Sequence, residues 1–378
     1  MSSHRDQERK DAIVHGLMSD PDKQIGLSEA ITIVGTCQDM CPENERVLRT
    51  VRNEVWAEEK DTNQAAAGSS TAEPDEARMV KAFRRSAAGD EVQLPSDLRP
   101  PAVLKRTCDY LFNEVIGNAP ALEKVHHFVW DRTRAIRNDF SIQQLTKLDD
   151  VRIAIDCYER IARFHMSSLH ELAGPTKPYA KYDPQQEREQ LDRTLLSLMQ
   201  YYDDTRGRLD LQHEAEFRAY CVILQLRDPT PDLEDRVQSW PSSIAMHYRV
   251  RTAVDVYAAA CSTIWPEGPI DKTQHVIARQ DWDKFWKLVE SRKVSFLLAC
   301  VAETHFMMIR EMALSAIVRS ARVTKKKDGV SEPNTEWTVD DLDRLFFFDT
   351  DEDLENFCAR QIGSCEQQET WQNVACNH

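Results

Sequence analysis

Apolar residues recur every three or four positions along most of this chain, the period of a helix with one buried face. Leu122, Val125, Phe128 and Val129 keep such a face through residues 120–138. Val151, Ile155, Tyr158, Ile161 and Ala162 do the same through 148–172, as do Leu191, Leu195, Leu198 and Met199 through 184–206. Further helices fit 212–226, 243–264, 281–290 and 293–320, with stops at Gly174-Pro175, Asp228-Pro229, Trp240-Pro241 and Trp265-Pro266. Helices in antiparallel succession with short loops describe an all-α protein, a helical-repeat bundle or α-solenoid, over residues 99–320. No motif recurs at a fixed period, so the repeats are structural rather than sequence-regular.

The pattern lapses at both ends and once near the start. Residues 1–34 are polar and mixed in charge and read as a loosely ordered tail. A first helix fits 42–60, and residues 61–98 open on an Ala/Ser/Gly-rich run that cannot bury a face, so they read as a flexible insert. Within that insert 78–85 fits a short helix, and Pro95, Pro100 and Pro101 mark an extended crossing. Residues 321–336 form a polar loop, after which Thr338 caps a short helix with Asp340 and Asp341 in its first turn. A second short helix follows over 351–360, and 363–378 form a tail holding at most one weak strand.

Composition narrows the chemistry. With 48 basic and 63 acidic residues the net charge is −15, the opposite sign from a protein that wraps nucleic acid electrostatically. Any contact with RNA or DNA then belongs to a local patch or to a partner. Ten scattered cysteines without disulfide-like spacing, and no apolar segment at the N-terminus, place the chain in a reducing compartment, cytosol or nucleus. The apolar run 294–318 contains Glu303, His305, Arg310 and Glu311, which predicts a buried helix and not a membrane span. Glycines number 11, about 3% of the chain against the usual 7% or so, and no phosphate-binding glycine loop is present.

The densest motif is Gly35-Thr-Cys-Gln-Asp-Met-Cys-Pro-Glu-Asn-Glu-Arg. Pro42 suits the first helical position, and Glu43 and Glu45 lie where the helix dipole favours anions. Arg46, Arg49 and Arg52 follow at intervals of three and predict a basic stripe. Cys37 and Cys41 have no second ligand pair at zinc spacing, so they read as a buried thiol pair that packs the loop under the helix.

This stretch, with Gly35, Thr36, Cys37, Asp39, Met40, Cys41, Pro42, Glu43, Glu45, Arg46 and Arg49, resembles the signature that opens the conserved domain of the Sac-three/GANP family, scaffolds of the nuclear TREX-two messenger-RNA export complex. A second block, Asp131, Arg132, Arg134, Arg137, Asp139, Gln143 and Gln144, resembles the family's internal Arg-Asp-Arg-x-Arg-Ala-Ile-Arg-x-Asp segment. The segments from Val339 and Glu352 resemble the end of the family's PCI region, so the likeness spans about residues 30–361. It implies a PCI-like helical solenoid that ends, over 321–362, in a winged-helix module lacking a full pair of wing strands. It also implies a nuclear location, no cofactor, and two partners: a second PCI-domain protein and a small acidic proteasome-lid-type subunit, the joined winged helices binding nucleic acid. Export scaffolds of the family carry phenylalanine-glycine repeats and a centrin-binding helix that this sequence does not, so the likeness gives no support to nuclear-pore tethering. A short branch of the family, linked to centrosomes and mitotic progression, supplies the rival implication of an interaction protein there or in the cytoplasm.

Candidate catalysts fail on spacing. His170-Glu171 and His213-Glu214 lack the histidine four positions on, which is Gly174 in one case and Phe217 in the other. His126 and His127 read as packed or surface histidines, and no Gly-x-Ser-x-Gly elbow is present. The reading is of a protein that is not an enzyme. Arg132, Arg134 and Arg137 could fork onto phosphates, but in so acidic a chain they are expected to pair with Asp131, Asp139 and neighbouring acids. The nucleic-acid candidate is the cationic run of Arg319, Arg322, Lys325, Lys326 and Lys327, extended by Arg344 and Arg360; the same run also reads as a solvated loop or a nuclear-import signal. Trp282, Phe285 and Trp286 fit either a partner surface or, as we favour, a core.

Overall fold

A computed structural model describes residues 2–20, 23, 26, 31–61, 73–85, 93–173, 182–226, 233–261, 282–320, 338–348 and 350–361. Among these residues the regular elements are helices, with isolated bridges but no β-strand. The chain divides into two compact units, Met1–Leu211 and Gln212–His378, the division falling inside the stretch read as one helical body.

The first unit holds α1 (Ser2–Val14), α2 (Glu43–Val51), α3 (Pro101–Asp109), α4 (Leu122–Gln143), α5 (Leu148–Leu172) and α6 (Pro184–Thr205). Helix α5 is central and touches α3, α4 and α6, each helix packing on its sequence neighbour as in a solenoid. Val129, Ile136 and Phe140 of α4, Ala154, Tyr158 and Ile161 of α5, and Leu191, Leu195 and Leu198 of α6 are buried. Each large apolar side chain so buried contributes about 1.5–3 kcal/mol. Helix α6 starts where Asp183 accepts hydrogen bonds from the Gln185 and Gln186 amides at 2.9 and 3.2 Å, with Pro184 in its first position. Helix α3 continues into a π-helical turn, Tyr110–Ile116.

The second unit holds α7 (Glu214–Leu224), α8 (Leu233–Ser239), α9 (Ser242–Ala245), α10 (Tyr248–Cys261), α11 (282–289), α12 (Phe296–Glu303), α13 (Phe306–Ser320), α14 (Val339–Phe346) and α15 (351–361). Helix α7 packs on α10 and α12. Trp282, Leu314, Ile317, Leu345, Phe346, Leu354 and Phe357 join α11, α13, α14 and α15 in one buried cluster. Trp282, Phe285 and Trp286 thus face a core. Thr338 accepts a hydrogen bond from the Asp341 amide at 3.2 Å while the Asp341 carboxylate accepts one from the Thr338 amide, a reciprocal cap that starts α14 as its sequence predicts. Thr350 caps α15 through the Asp353 amide at 3.2 Å. Wing strands are absent among the described residues, and the weak strand predicted in 363–378 lies outside them.

Several expectations give way. Residues 2–14, read as tail, form a helix: Arg5 is bonded twice to Asp97, and Ala12 and Met18 pack with Leu94. The described parts of the supposed flexible insert are likewise built in, with Met79, Val80, Lys81, Leu94 and Leu98 buried. Residues 78–85 are not helical, because the Lys81 amide donates to the Met40 carbonyl and the Val80 amide to Glu59, which hold them extended. The first helix ends at Val51 rather than near 60, since Asn53 takes a left-handed φ of 57° that stops α2. The run 293–320 is two helices, the Thr304 hydroxyl bonding the Val301 carbonyl at 2.8 Å where they part. The stops at Gly174-Pro175, Asp228-Pro229 and Trp265-Pro266 lie outside the described residues.

Candidate functional site

The two dense motifs meet. The Gly35 amide donates to Gln143 Oε1 at 3.0 Å, and Gln143 Nε2 donates to the Arg99 carbonyl at 2.8 Å. Thr36 and Cys37 run beside the 95–98 turn, their amides bonded to the Pro95 and Leu98 carbonyls at 2.8 and 3.0 Å. A Cβ at position 35 would come within 2.5 Å of the Leu98 carbonyl oxygen, so only glycine fits. Pro42 lies one position before the first helical residue, Glu43, and its carbonyl accepts from the Arg46 amide at 3.0 Å.

Two buried carboxylates organise what lies between. Asp139, on α4, accepts from Lys81 Nζ at 2.6 Å and Arg99 Nε at 2.8 Å, and Arg99 reaches on to the Met40 carbonyl at 3.2 Å. Glu59 accepts from the Val80 amide and Arg132 on one oxygen, and from the Trp56 amide and Arg49 on the other. Arg49 also lies 3.6 Å from Glu45, whose carboxylate takes the Ala82 amide at 2.8 Å. The Arg132 guanidinium lies against both the Trp56 and Phe128 rings, 5.0 and 4.7 Å from their centroids, the two rings being tilted on each other at 5.9 Å. Burial alone would lower the Arg49 pKa, but Glu59 outweighs it and the guanidinium is held above its ordinary value.

The predicted basic stripe on α2 is therefore no surface. Arg49 is buried, Arg46 is tied to Asp39 at 2.8 Å and to the Cys41 carbonyl at 2.9 Å, and only Arg52 is exposed. The expected buried thiol pair holds only for Cys41; Cys37 is half-exposed and its Sγ donates to the Asp39 carbonyl at 3.3 Å, while partial burial raises its pKa and fuller burial raises that of Cys41 more, so both are weak nucleophiles. Among the described residues no group of three or more His, Cys, Asp or Glu is arranged to hold a metal. In the second motif Arg132 and Asp139 lie inside the network, Asp131 takes the Phe83 amide at 3.1 Å, and Arg137 bonds Gln190 at 2.7 Å. Gln144 ends α4 in a left-handed turn. Arg134 differs: its guanidinium lies on the Phe83 ring at 3.9 Å and the Trp130 ring at 4.6 Å.

The C-terminal candidates fall apart from this. Arg344 and Arg360 are exposed, on α14 and α15; Arg322, Lys325, Lys326 and Lys327 lie outside the described residues, as does the Arg319 side chain. Arg310 closes the α14–α15 turn, bonding the Phe346 carbonyl at 2.8 Å and the Phe347 carbonyl while lying 3.8 Å over the Phe348 ring. It thereby holds Phe347 at a φ of 51°, a left-handed conformation a bulky residue rarely takes.

Sequence reasoning missed Glu59, Lys81 and Arg99, which sit in segments without periodicity. It also missed Glu187, which is buried between His126 Nε2 at 2.9 Å and His165 Nδ1 at 2.6 Å. The buried faces of α4, α5 and α6 could have pointed to that triad; no local spacing did.

Fold and site together define an all-helical protein closed by a buried ionic seam between an N-terminal signature and its fourth helix. The profile of the SAC3/GANP family matches residues 40–366, and the chain belongs to that family. It is 38% identical over 367 residues to SAC3 family protein 1 of Schizosaccharomyces pombe, covering 94% of this chain and 32% of that protein. It is also similar to Protein xmas of Drosophila melanogaster, at 30% over 79% of this chain and 13% of the relative, and to SAC3 family protein B of Arabidopsis thaliana, at 30% over 75% and 16%. The chain thus spans a third or less of the length of these relatives.

Proposed function

We propose that this chain is a non-enzymatic scaffold subunit of a nuclear messenger-RNA export assembly of the TREX-two type. Membership of the family over residues 40–366 carries the reading. Its charged motifs support a structural role, because Asp139 with Lys81 and Arg99, and Glu59 with Arg132, pair inside the first unit. The helical stack of the second unit, ending in the capped pair α14 and α15, is the PCI-type end that pairs with a second PCI protein and a small acidic subunit. Nucleic acid is then held by the joined ends, with the 319–327 run, Arg344 and Arg360 supplying cations from this chain.

Affinity capture of the tagged chain from nuclear extract, read by mass spectrometry, tests this. Recovery of a PCI-domain protein together with a small acidic subunit is the expected result. Recovery of centrosomal or spindle proteins without them would sink the export reading.

A further inference from the structure

Among the described residues Ser239, Thr252 and Ser295 stand three positions after an arginine. Arginine there, a second cation at the next position and an apolar residue directly after the hydroxyl make the charge pattern that basophilic serine/threonine kinases select. Thr252 is buried in α10, the Arg236 that precedes Ser239 is bonded to Gln225, and neither hydroxyl has the second cation. Ser295 has the full pattern, Arg292-Lys293-Val294-Ser295-Phe296. Arg292 and Lys293 are exposed and make no ion pair among the described residues, and Phe296 is 66% exposed.

These five residues lie in one accessible stretch. Residues 290–295 join α11 to α12 without helix, and Ser295 has extended backbone, φ −75° and ψ 158°. Its Oγ accepts from the Leu298 amide at 3.3 Å and caps α12. Beside it is a cleft between α7, α10 and α12 whose wall includes Ser295, Lys293, Arg249 and Glu216. A volume of about 20 Å³ leaves room there for one water and not for a free ligand. Arg249 reaches one Glu216 oxygen at 3.2 Å, and the other takes the Tyr220 hydroxyl at 2.9 Å. The cleft thus sets two cations against one carboxylate that is already engaged. A serine kept only to cap a helix needs neither two unpaired cations before it nor an exposed phenylalanine after it.

We propose that Ser295 is a phosphorylation site for a basophilic serine/threonine kinase, and that its phosphate is held by Lys293 and Arg249 at the start of α12. ATP is the phosphoryl donor. The bond from Ser295 Oγ to the γ-phosphorus forms as the bond to the bridging oxygen breaks; ADP leaves with that electron pair, and the hydroxyl proton passes to the kinase's catalytic carboxylate. The added dianion faces the positive end of the helix and two cations, an arrangement in which phosphate orders a segment. The site depends on this motif and cleft and not on the export reading, so either can fail alone.

The folded full chain, incubated with the catalytic subunit of cyclic-AMP-dependent kinase and Mg·ATP, should take up phosphate mainly at Ser295, as mapped by tandem mass spectrometry. Ser295→Ala should lose that label while Ser295→Thr keeps it. Arg292→Ala, at an exposed position outside the core, should slow the initial rate about 10-fold or more. Phosphorylation should raise the melting temperature by about 2–4 °C, and the rise should shrink by about half in Arg249→Gln or Lys293→Gln, each taken to full phosphorylation. Equal labelling in Ser295→Ala, a rate untouched by Arg292→Ala, or labelling only once the chain is unfolded would overturn the site. A melting temperature unchanged or lowered by phosphorylation, or a rise undiminished in both cation variants, would overturn the seat of the phosphate at Lys293 and Arg249.

Discussion

Asp139 is fully buried and balances two cations, Lys81 and Arg99, neither of which makes another ion pair among the described residues, although the Asp97 charge also acts on Lys81. An amide of the same shape would leave both cations buried without an ion-pair partner. Asp139→Asn should therefore cost about 3–5 kcal/mol, read as a lower urea midpoint at constant slope. Asp149→Asn, which breaks the exposed pair with Arg152, should shift it by less than about 1 kcal/mol. Equal effects from the two would contradict the network. At this scale the sequence announced some roles and hid others. Cys41 was legible as a thiol that packs the loop under the first helix, whereas the close approach of Gly35 to the Leu98 carbonyl shows only in the fold. Lys81 and Arg99 were not, since a cation's burial depends on where a carboxylate 40 or 58 positions away is brought by folding. Arg49 looked like surface for the same reason: spacing reports which residues share a helix face, not which way that face turns.

Glu187 ties three helices together, bonding His126 of α4 and His165 of α5 from α6. Burial lowers the His165 pKa below 6.5, and Glu187 only partly restores it; Arg137 and His126 push it down again. Burial would raise Glu187, but the two histidines outweigh it and hold the carboxyl below its ordinary 4.5. Both folded values lie below the unfolded ones. Stability from both groups is therefore complete above about pH 6.5 and is lost on acidification, first as His165 protonates in the unfolded chain and then, below about pH 4.5, as Glu187 does. The urea midpoint should fall between about pH 7 and pH 5, and fall less in His165→Gln. A native midpoint flat over that interval, or an identical decline in the variant, would show that the junction carries no such linkage. Element existence was plain from period, since α5 spans the predicted 148–172. Element breaks were not: α2 stops at a left-handed Asn53, and the 293–320 run parts at Thr304, where a side-chain hydrogen bond competes with the helix.

The whole chain carries a net charge of −15, and its strongest ion pairs are inside. Salt screens exposed charges within a Debye length of about 8–10 Å and hardly reaches buried pairs, so its main effect here is to relieve mutual repulsion of surface acids. Raising NaCl from about 20 to about 300 mM should raise the melting temperature by a few degrees; a fall would mean that surface pairs dominate. The all-helical class was readable from the 3.6-residue period alone, whereas the division into units after Leu211 was not, because no change of composition marks it and long-range packing defines it. That packing bears on synthesis as well. The hydrogen bond between Gly35 and Gln143 joins residues 108 positions apart. At about 5–20 residues per second, a ribosome makes Gly35 some 5–20 s before its partner exists. Through that interval the nascent chain holds Arg49, Glu59, Lys81 and Arg99 without the helix that gathers them, and its first unit closes only when residue 143 has left the exit tunnel.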